Sequence, residues 1–419
     1  MRKMKDSGAK WIGKIPSTWQ SDKLKYHLKR KEPKNPGDMT VLSLYRELGI
    51  IPKDSRDDNH NQTSEDTSKY KYVKPGNFVV NKMKAWQGSV AVSDYEGIVS
   101  PAYYVYEFTD ELFDKRYFHH LLRGCYKDEF MRLSGGMRVG QWDLSSEDLD
   151  NTLVVIPPLD EQKKIAEFLD AKCSEIDALI ADIQAQIETL EQYKRSTVIE
   201  TVTKGLNSNI TMKDSGVQWI GKIPETWDCI KGKYILKYIS KPTKDDDGVI
   251  TCFRDGEVTL RSKRREEGFT MADKEIGYQG IDIGDLVVHG MDGFAGAIGI
   301  SDSRGKASPV LNVLETDQNK RYIMYFLRSM AYGDVFLALA TGIRVRSCDL
   351  RWNKLAELFY PIPSLEEQAQ IVEHIDHVIE ETNKIIADKK EQIATLDTYK
   401  KSIIFEYVTG KKESDCIGE

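Results

Sequence analysis

The stretch MKDSGAKWIGKIPSTW (Met4–Trp19) returns 208 residues later as MKDSGVQWIGKIPETW (Met212–Trp227), identical at 13 of 16 positions. The offset continues without a gap. VLSLYRELG (Val41–Gly49) lies over VITCFRDGE (Val249–Glu257), and GNFVVNKMKAWQGSVAVSD (Gly76–Asp94) over GDLVVHGMDGFAGAIGISD (Gly284–Asp302). A slip of two residues then aligns GMRVGQWDL (Gly136–Leu144) with GIRVRSCDL (Gly342–Leu350), and IPPLDEQ (Ile156–Gln162) with IPSLEEQ (Ile362–Gln368). Self-similarity at a fixed period marks a repeated structural unit. The 419 residues are therefore one unit written twice, which also suits a chain too long for a single core.

Within each unit the texture changes once. From roughly 20 to 155, and again from 228 to 361, glycine, proline, β-branched and aromatic residues alternate in short runs. FVVNKM and LVVHGM follow turn signals at Pro75-Gly76 and Ile283-Gly284 and read as strands. KRYFHHLLRGCYKDEF and NKRYIMYFLRSMAY read as helices between them, so each globule is α+β.

Leu159–Lys204 and Leu365–Thr409 contain neither glycine nor proline. Apolar residues recur at Ile176, Ile180, Ile183, Ile187 and Leu190, and at Ile371, Ile375, Val378, Ile386, Ile393 and Leu396. That is coiled-coil spacing. Asp160-Glu161 and Glu366-Glu367 suit the first turn of a helix, and Gly205 and Gly410 stop each one. At 1.5 Å per residue each helix spans about 65–70 Å. A lone helix of that length with one apolar stripe needs a partner. The duplicate helix is the nearest, and antiparallel pairing puts the two globules at opposite ends. The alternatives are folding back on its own globule and pairing with another protein.

Forty per cent hydrophobic and thirty per cent charged residues describe a soluble globular protein. No apolar run reaches a membrane span, and the basic N-terminus lacks the apolar stretch of a signal peptide. Six scattered cysteines without a CxxC pair argue for a reducing cytoplasm and against a structural zinc. The net charge of −6 is concentrated in the helical segments, which carry 6 basic against 10 acidic residues (159–204) and 5 against 10 (365–409). Residues 1–37 hold 11 Lys/Arg against 3 Asp/Glu, so the acidic balance does not exclude a polyanion partner.

Candidate chemistry is sparse. Gly8…Gly13-Lys14 and Gly216…Gly221-Lys222 approach a phosphate-binding P-loop, but Ile15-Pro16 and Ile223-Pro224 replace the magnesium-binding hydroxyl, and no preceding strand is evident. These segments read as a structured arm whose Trp11, Trp19, Trp219 and Trp227 pack on the domain. Glu161-x-Lys163 resembles the tail of a nuclease site, but Ala369 stands in the duplicate. Gly290, Gly293, Gly296 and Gly299 do not fit G-x-G-x-x-G, no methylation motif occurs, and the seven histidines offer no metal triad.

Residues suited to nucleic acid remain. The first globule offers Arg46, Lys82, Lys84, Trp86, Gln87, Arg138 and Gln141. The second offers Arg254, Lys263, Arg264, Arg265, His289, Arg344 and Arg346. Arginine pairs bidentately with guanine, glutamine with adenine, and lysine or arginine neutralises phosphate. Arg46/Arg254 and Arg138/Arg344 recur at matching places, whereas Lys82/Gly290, Lys84/Asp292 and Gln141/Ser347 differ.

Arm, globule, VVNKMKAWQG…GIVSPAYYVY, GGMRVGQWDL, IPPLDEQ and long helix, repeated in order over essentially the whole chain, resemble the specificity subunit of type I restriction–modification systems. The resemblance implies two target-recognition domains in a pseudo-symmetric tandem repeat, separated by two long antiparallel coiled-coil helices. Residues 1–155 then form arm and first recognition domain, 156–206 the central spacer, 207–361 arm and second domain, 362–410 the C-terminal spacer, and 411–419 a tail. It further implies a cytoplasmic, non-catalytic subunit that binds double-stranded DNA at an asymmetric bipartite site. The paired helices set the gap between half-sites and dock two methyltransferase subunits, which restriction/translocase subunits join. S-adenosylmethionine, ATP and Mg belong to those partners, this chain binding no cofactor and no metal. HGMDGFAG departs from the family-like NKMKAWQG and weakens residue-level transfer there. The competing expectation is a coiled-coil scaffold whose globules bind protein or carbohydrate.

Overall fold

A computed structural model describes residues 2–46, 48–55, 63–64, 66–136, 142–264, 276–339 and 350–413. The chain divides into two compact units, Met1–Ile183 with Glu391–Glu419, and Gln184–Lys390. Each takes in part of both long helices.

The same four-stranded antiparallel sheet lies at the heart of each unit. In the first, β1 (Leu28–Lys31), β2 (Phe78–Asn81), β3 (Val90–Val92) and β4 (Tyr103–Phe108) are ordered β1-β4-β2-β3. In the second, β5 (Lys237–Ile239), β6 (Leu286–His289), β7 (Ile298–Ile300) and β8 (Leu311–Glu315) repeat that order as β5-β8-β6-β7. The central β2 reads as a continuous apolar run because both its faces are covered. Phe78 and Val80 enter a core built on helix α1 (Lys115–Cys125), while Val79 points the other way into a smaller cluster with Leu42, Leu44 and Ile50. Leu286 and Val288 face the core around the second-unit helix Lys320–Tyr332, and Val287 meets Ile250, Cys252 and Val258. The layer opposite the helix is thus a hairpin in both units: Leu42–Tyr45 with Gly49–Pro52, and Ile250–Cys252 with Val258–Leu260.

The two glycine-free segments are continuous helices, α2 (Leu159–Lys204) and, after α3 (Lys320–Tyr332), α4 (Leu365–Val408). They end in left-handed Gly205 (φ +75°) and Gly410 (φ +69°), which a Cβ would disfavour. Within each unit the two segments run antiparallel. Lys400 of α4 reaches Asp177 of α2 at 2.6 Å in the first, and Lys194 of α2 reaches Asn383 of α4 at 2.7 Å in the second. Ile176, Ile183, Ile187, Ile371, Ile375 and Ile386 are buried, and Ile180, Leu190, Val378, Ile393 and Leu396 half-buried. Helix ends also enter the globular cores. Ile165, Leu169, Ile403 and Val408 belong to the first, and Val198, Val202, Ile371 and Ile375 to the second.

The arm corrects one expectation. A strand does precede the P-loop-like segment: Met4–Asp6 pairs with Lys14–Pro16, and Met212–Asp214 with Lys222–Pro224. Each lysine opens the return strand of a hairpin and not a helix, so the helix N-terminus a P-loop needs is missing for that reason as well. Trp19 and Trp227 are fully buried, each side chain contributing about 1.5–3 kcal/mol or more of apolar burial. Trp11 is half-buried, edge-on to Tyr126 at 5.7 Å, whereas Trp219 remains 39 % exposed.

Candidate nucleic-acid interface

Both hairpins aim their tips at the short 3-10 turn that follows the central strand. In the first unit Arg46, exposed at the tip, donates to the side-chain carbonyl of Gln87 in the turn Ala85–Gln87. In the second, Arg254 pairs with Asp292, just ahead of the turn Gly293–Ala295, at 2.9 Å. The second turn is glycine-rich because the hairpin backbone lies against it. A Cβ on Gly299 would stand 1.9 Å from the Gly256 carbonyl oxygen, and one on Gly296 2.7 Å from that of Arg254. The spacing that fails as a dinucleotide motif is thus a packing requirement.

Around Arg46 the structure collects Lys82, Lys84, Trp86 and Gln87 on one loop. Lys82 pairs with Asp143 at 3.6 Å, Lys84 is exposed, and Trp86 donates to the Met83 carbonyl and meets Trp142 edge-on at 5.6 Å. Lys127 comes within 3.9 Å of the Cβ position of Gly88 and adds a further exposed cation. Arg138 and Gln141 lie outside the described residues.

In the second unit the candidate cations are more engaged with protein. Arg264 is held by Asp255 and Glu257 and sits 4.1 Å from the centroid of the Phe253 ring. Lys263 donates to Ser303 at 2.7 Å and faces Asp302 at 3.4 Å. His289 accepts backbone N–H bonds from Met291 and Asp292 through Nδ1, and burial pushes its pKa below the ordinary value. That ring is committed to shaping the turn. Arg265, Arg344 and Arg346 lie outside the described residues.

Three arrangements, each present twice, were not evident in the sequence. Arg123 of α1 donates to the Arg46 carbonyl, and Arg328 of α3 to the Asp255 carbonyl at 2.7 Å, so a helix braces each hairpin tip. The same helices are tied to the long ones. Asp170 of α2 accepts from His120 (2.7 Å) and Arg116 (3.1 Å), and Asp376 of α4 from Tyr325 and Arg321 (both 2.5 Å). Third, the Glu-Gln pair opening each long helix is a buried junction. Glu161 and Glu367 accept the indole N–H of Trp19 and Trp227, both at 3.0 Å. Gln162 and Gln368 accept the backbone N–H of Asp114 and Asn319, the residues that cap α1 and α3.

A sequence-family model for the type I restriction modification DNA specificity domain matches residues 23–189, which cover the first sheet, its hairpin and most of α2. The type I restriction enzyme MjaVIII specificity subunit of Methanocaldococcus jannaschii is 26 % identical over 95 % of this chain and 94 % of its own length. Residues 23–189 thus match the type I restriction modification DNA specificity domain, and nearly the whole chain is similar to a type I specificity subunit. The EcoBI specificity subunit of Escherichia coli is also 26 % identical, over 73 % of this chain and 67 % of its own. A solved chain from work on complex assembly and conformational transition of the type I R-M system shares the fold. It has a TM-score of 0.68 at 14 % identity and covers 95 % of this chain and 99 % of its own. The shared fold thus extends over both units. Among the described residues no helix is long and apolar enough to cross a membrane, and no cluster of His, Cys, Asp and Glu could hold a metal ion.

Proposed function

We propose that this specificity subunit reads an asymmetric, two-part site on double-stranded DNA, one half with each unit. The observation that carries the proposal is the repeated braced hairpin tip, bearing Arg46 or Arg254, set against a turn whose side chains differ between units. Lys84 and Gln87 of the first correspond to Asp292 and Ala295 of the second. Identical scaffolds hold the same arginine, while the neighbours that discriminate bases differ, as two unequal half-sites require.

Catalysis on this reading belongs to other chains. Two methyltransferase subunits dock on the long helices and methylate adenine with S-adenosylmethionine; restriction/translocase subunits add ATP- and Mg-dependent cleavage in the cytoplasm. Support for docking comes from exposed apolar residues on otherwise charged helices. Leu179 and Tyr399 in the first unit, and Tyr193 and Ile385 in the second, are 45–54 % exposed at levels matching the Lys400–Asp177 and Lys194–Asn383 contacts.

Mapping adenine methylation in the host genome with and without this gene tests the function. Loss of methylation at one split motif is expected, and an unchanged map in cells expressing the matching methyltransferase refutes it. Exchanging residues 20–155 for those of another specificity subunit is expected to change one half of the motif and leave the other. Leu179→Asp and Ile385→Asp are expected to weaken co-purification of the methyltransferase while the isolated chain keeps its melting temperature.

A further inference from the structure

The second unit holds a cleft of about 710 Å³ whose lining includes Lys194 and Arg195 of α2, Arg254 of the hairpin tip, and Tyr325, Arg328 and Tyr332 of α3. Most charges on its wall are already matched. Lys194 pairs with Glu191 at 2.8 Å and bonds Asn383; Arg254 pairs with Asp292; the carboxylate of Asp255 is taken by Arg264. Two guanidinium groups are not. Arg195 is exposed and, among the described residues, donates to no acceptor; it rests on the Tyr332 ring, 5.7 Å from its centroid. Arg328 lies 5.6 Å from the same centroid, and its Nε is buried without an acceptor although its Nη2 holds Asp255. Against these two cations the wall sets one further carboxylate, Asp334.

The sequence supplies an independent reason to single out Arg195. Residues 174–193 of α2 contain five acidic residues and no lysine or arginine, and are followed by Lys194-Arg195. The repeat has the same wording at the same register: Tyr193-Lys194-Arg195 corresponds to Tyr399-Lys400-Lys401. In both units the first cation bridges the helix pair, Lys194 to Asn383 and Lys400 to Asp177. The second, about 100° further round the helix, is exposed in both. A cation kept twice at one register of an acidic helix, without a protein acceptor, fits an anion from outside.

We propose that Arg195, resting on the Tyr332 ring that Arg328 also approaches, binds a backbone phosphate of the DNA whose bases Arg254 reaches, and that Lys401 does the same in the first unit. The inference rests on the DNA reading proposed above. Because Arg254 itself lines the cleft, a duplex engaging the hairpin tip passes its backbone over the mouth, where planar guanidinium donors meet phosphate oxygens. The long helix on this account touches DNA and fixes register, without reading sequence.

The test is binding by the full-length chain, assembled with its methyltransferase subunits, to duplex carrying the mapped motif and to unrelated duplex, across about 50–200 mM salt. Both Arg195 and Lys401 are exposed, so their substitution leaves the cores intact. Arg195→Gln is expected to lower the slope of log K against log salt by about 1 and to weaken both duplexes alike. Lys401→Gln acts the same way, the double variant loses about 2, and Arg195→Lys keeps the wild-type slope. An unchanged slope in Arg195→Gln overturns the inference, whether affinity is also unchanged, only the cognate duplex is weakened, or methyltransferase association is lost instead. A wild-type complex without salt-sensitive DNA binding overturns the DNA reading itself, which separates the two failures.

Discussion

Gln162 and Gln368 are fully buried, and each amide serves three groups at once. Gln162 accepts from the Asp114 N–H and donates to the carbonyls of Leu112 (2.8 Å) and Pro157 (2.9 Å), joining the loop before α1 to the start of α2. Gln368 does the same for Asn319, Gln318 and Pro363. A buried polar group left without a partner costs about 1–3 kcal/mol. Gln162→Leu is therefore expected to destabilise by at least that amount in urea titration, with no change in the slope of unfolding free energy against denaturant. His119 sets a pH limit at the same scale. Burial, reinforced by neighbouring Arg123, lowers its pKa to about 3 from an ordinary value of 6.5. The ring is neutral in the folded state and accepts the Val92 N–H. The unfolded chain takes up a proton below 6.5 and the folded one does not, so this contribution is intact above 6.5 and is lost as pH falls toward 3, at about 1.4 kcal/mol per pH unit. His119→Asn is expected to flatten that acid limb in melting curves. In sequence, Asp160-Glu161 is legible as a favourable helix start. That Glu161 takes an indole 142 residues away is not, because the pairing exists only after the arm has folded onto the helix.

Among the elements, the long helices are the most legible, because the absence of glycine and proline over some 45 residues leaves little else for them to form. The arm hairpin is the least legible. Its paired strands are three residues each, too short for an alternation to show, and their stability comes from the buried tryptophans beyond them. The interface hairpins depend on helices remote in sequence, Arg123 holding Arg46 and Arg328 holding Asp255. Arg123→Ala and Arg328→Ala are expected to speed amide hydrogen exchange in Leu42–Pro52 and Ile250–Leu260 respectively, while exchange in β2 and β6 is unaffected. Equal acceleration throughout the unit would mean that the arginines serve general stability and not the tip. Lys263 and Arg264 show the limit of residue type as a guide, since the sequence does not reveal that the Ser303 hydroxyl and nearby carboxylates already engage them.

At the scale of the whole chain, duplication has produced two units that each draw on both long helices. Tyr117 of α1 donates to the Val408 carbonyl of α4, and Tyr322 of α3 to the Val202 carbonyl of α2, so each core binds the last turn of the helix belonging to the other repeat. In the first unit Lys411 donates to the Ile12 carbonyl at 2.8 Å, and Gly410 lies against Pro16 and Trp19. Joining Glu413 to Arg2 through a short flexible linker and opening the chain between Gly205 and Met212 is expected to give a folded permutant, with a melting temperature within a few degrees of the parent. Loss of cooperative melting would show that the 205–212 connection is itself needed. Sequence alone determined the repetition, the extent of the two helices and the α+β character of the globules. These are properties of periodicity and local propensity, which neighbouring residues settle among themselves. Tertiary structure decided which helix end closes which core, which arginines are braced or paired, and which cations remain at a cleft. Those outcomes join residues up to 399 positions apart and are fixed only when burial brings a donor and its acceptor together.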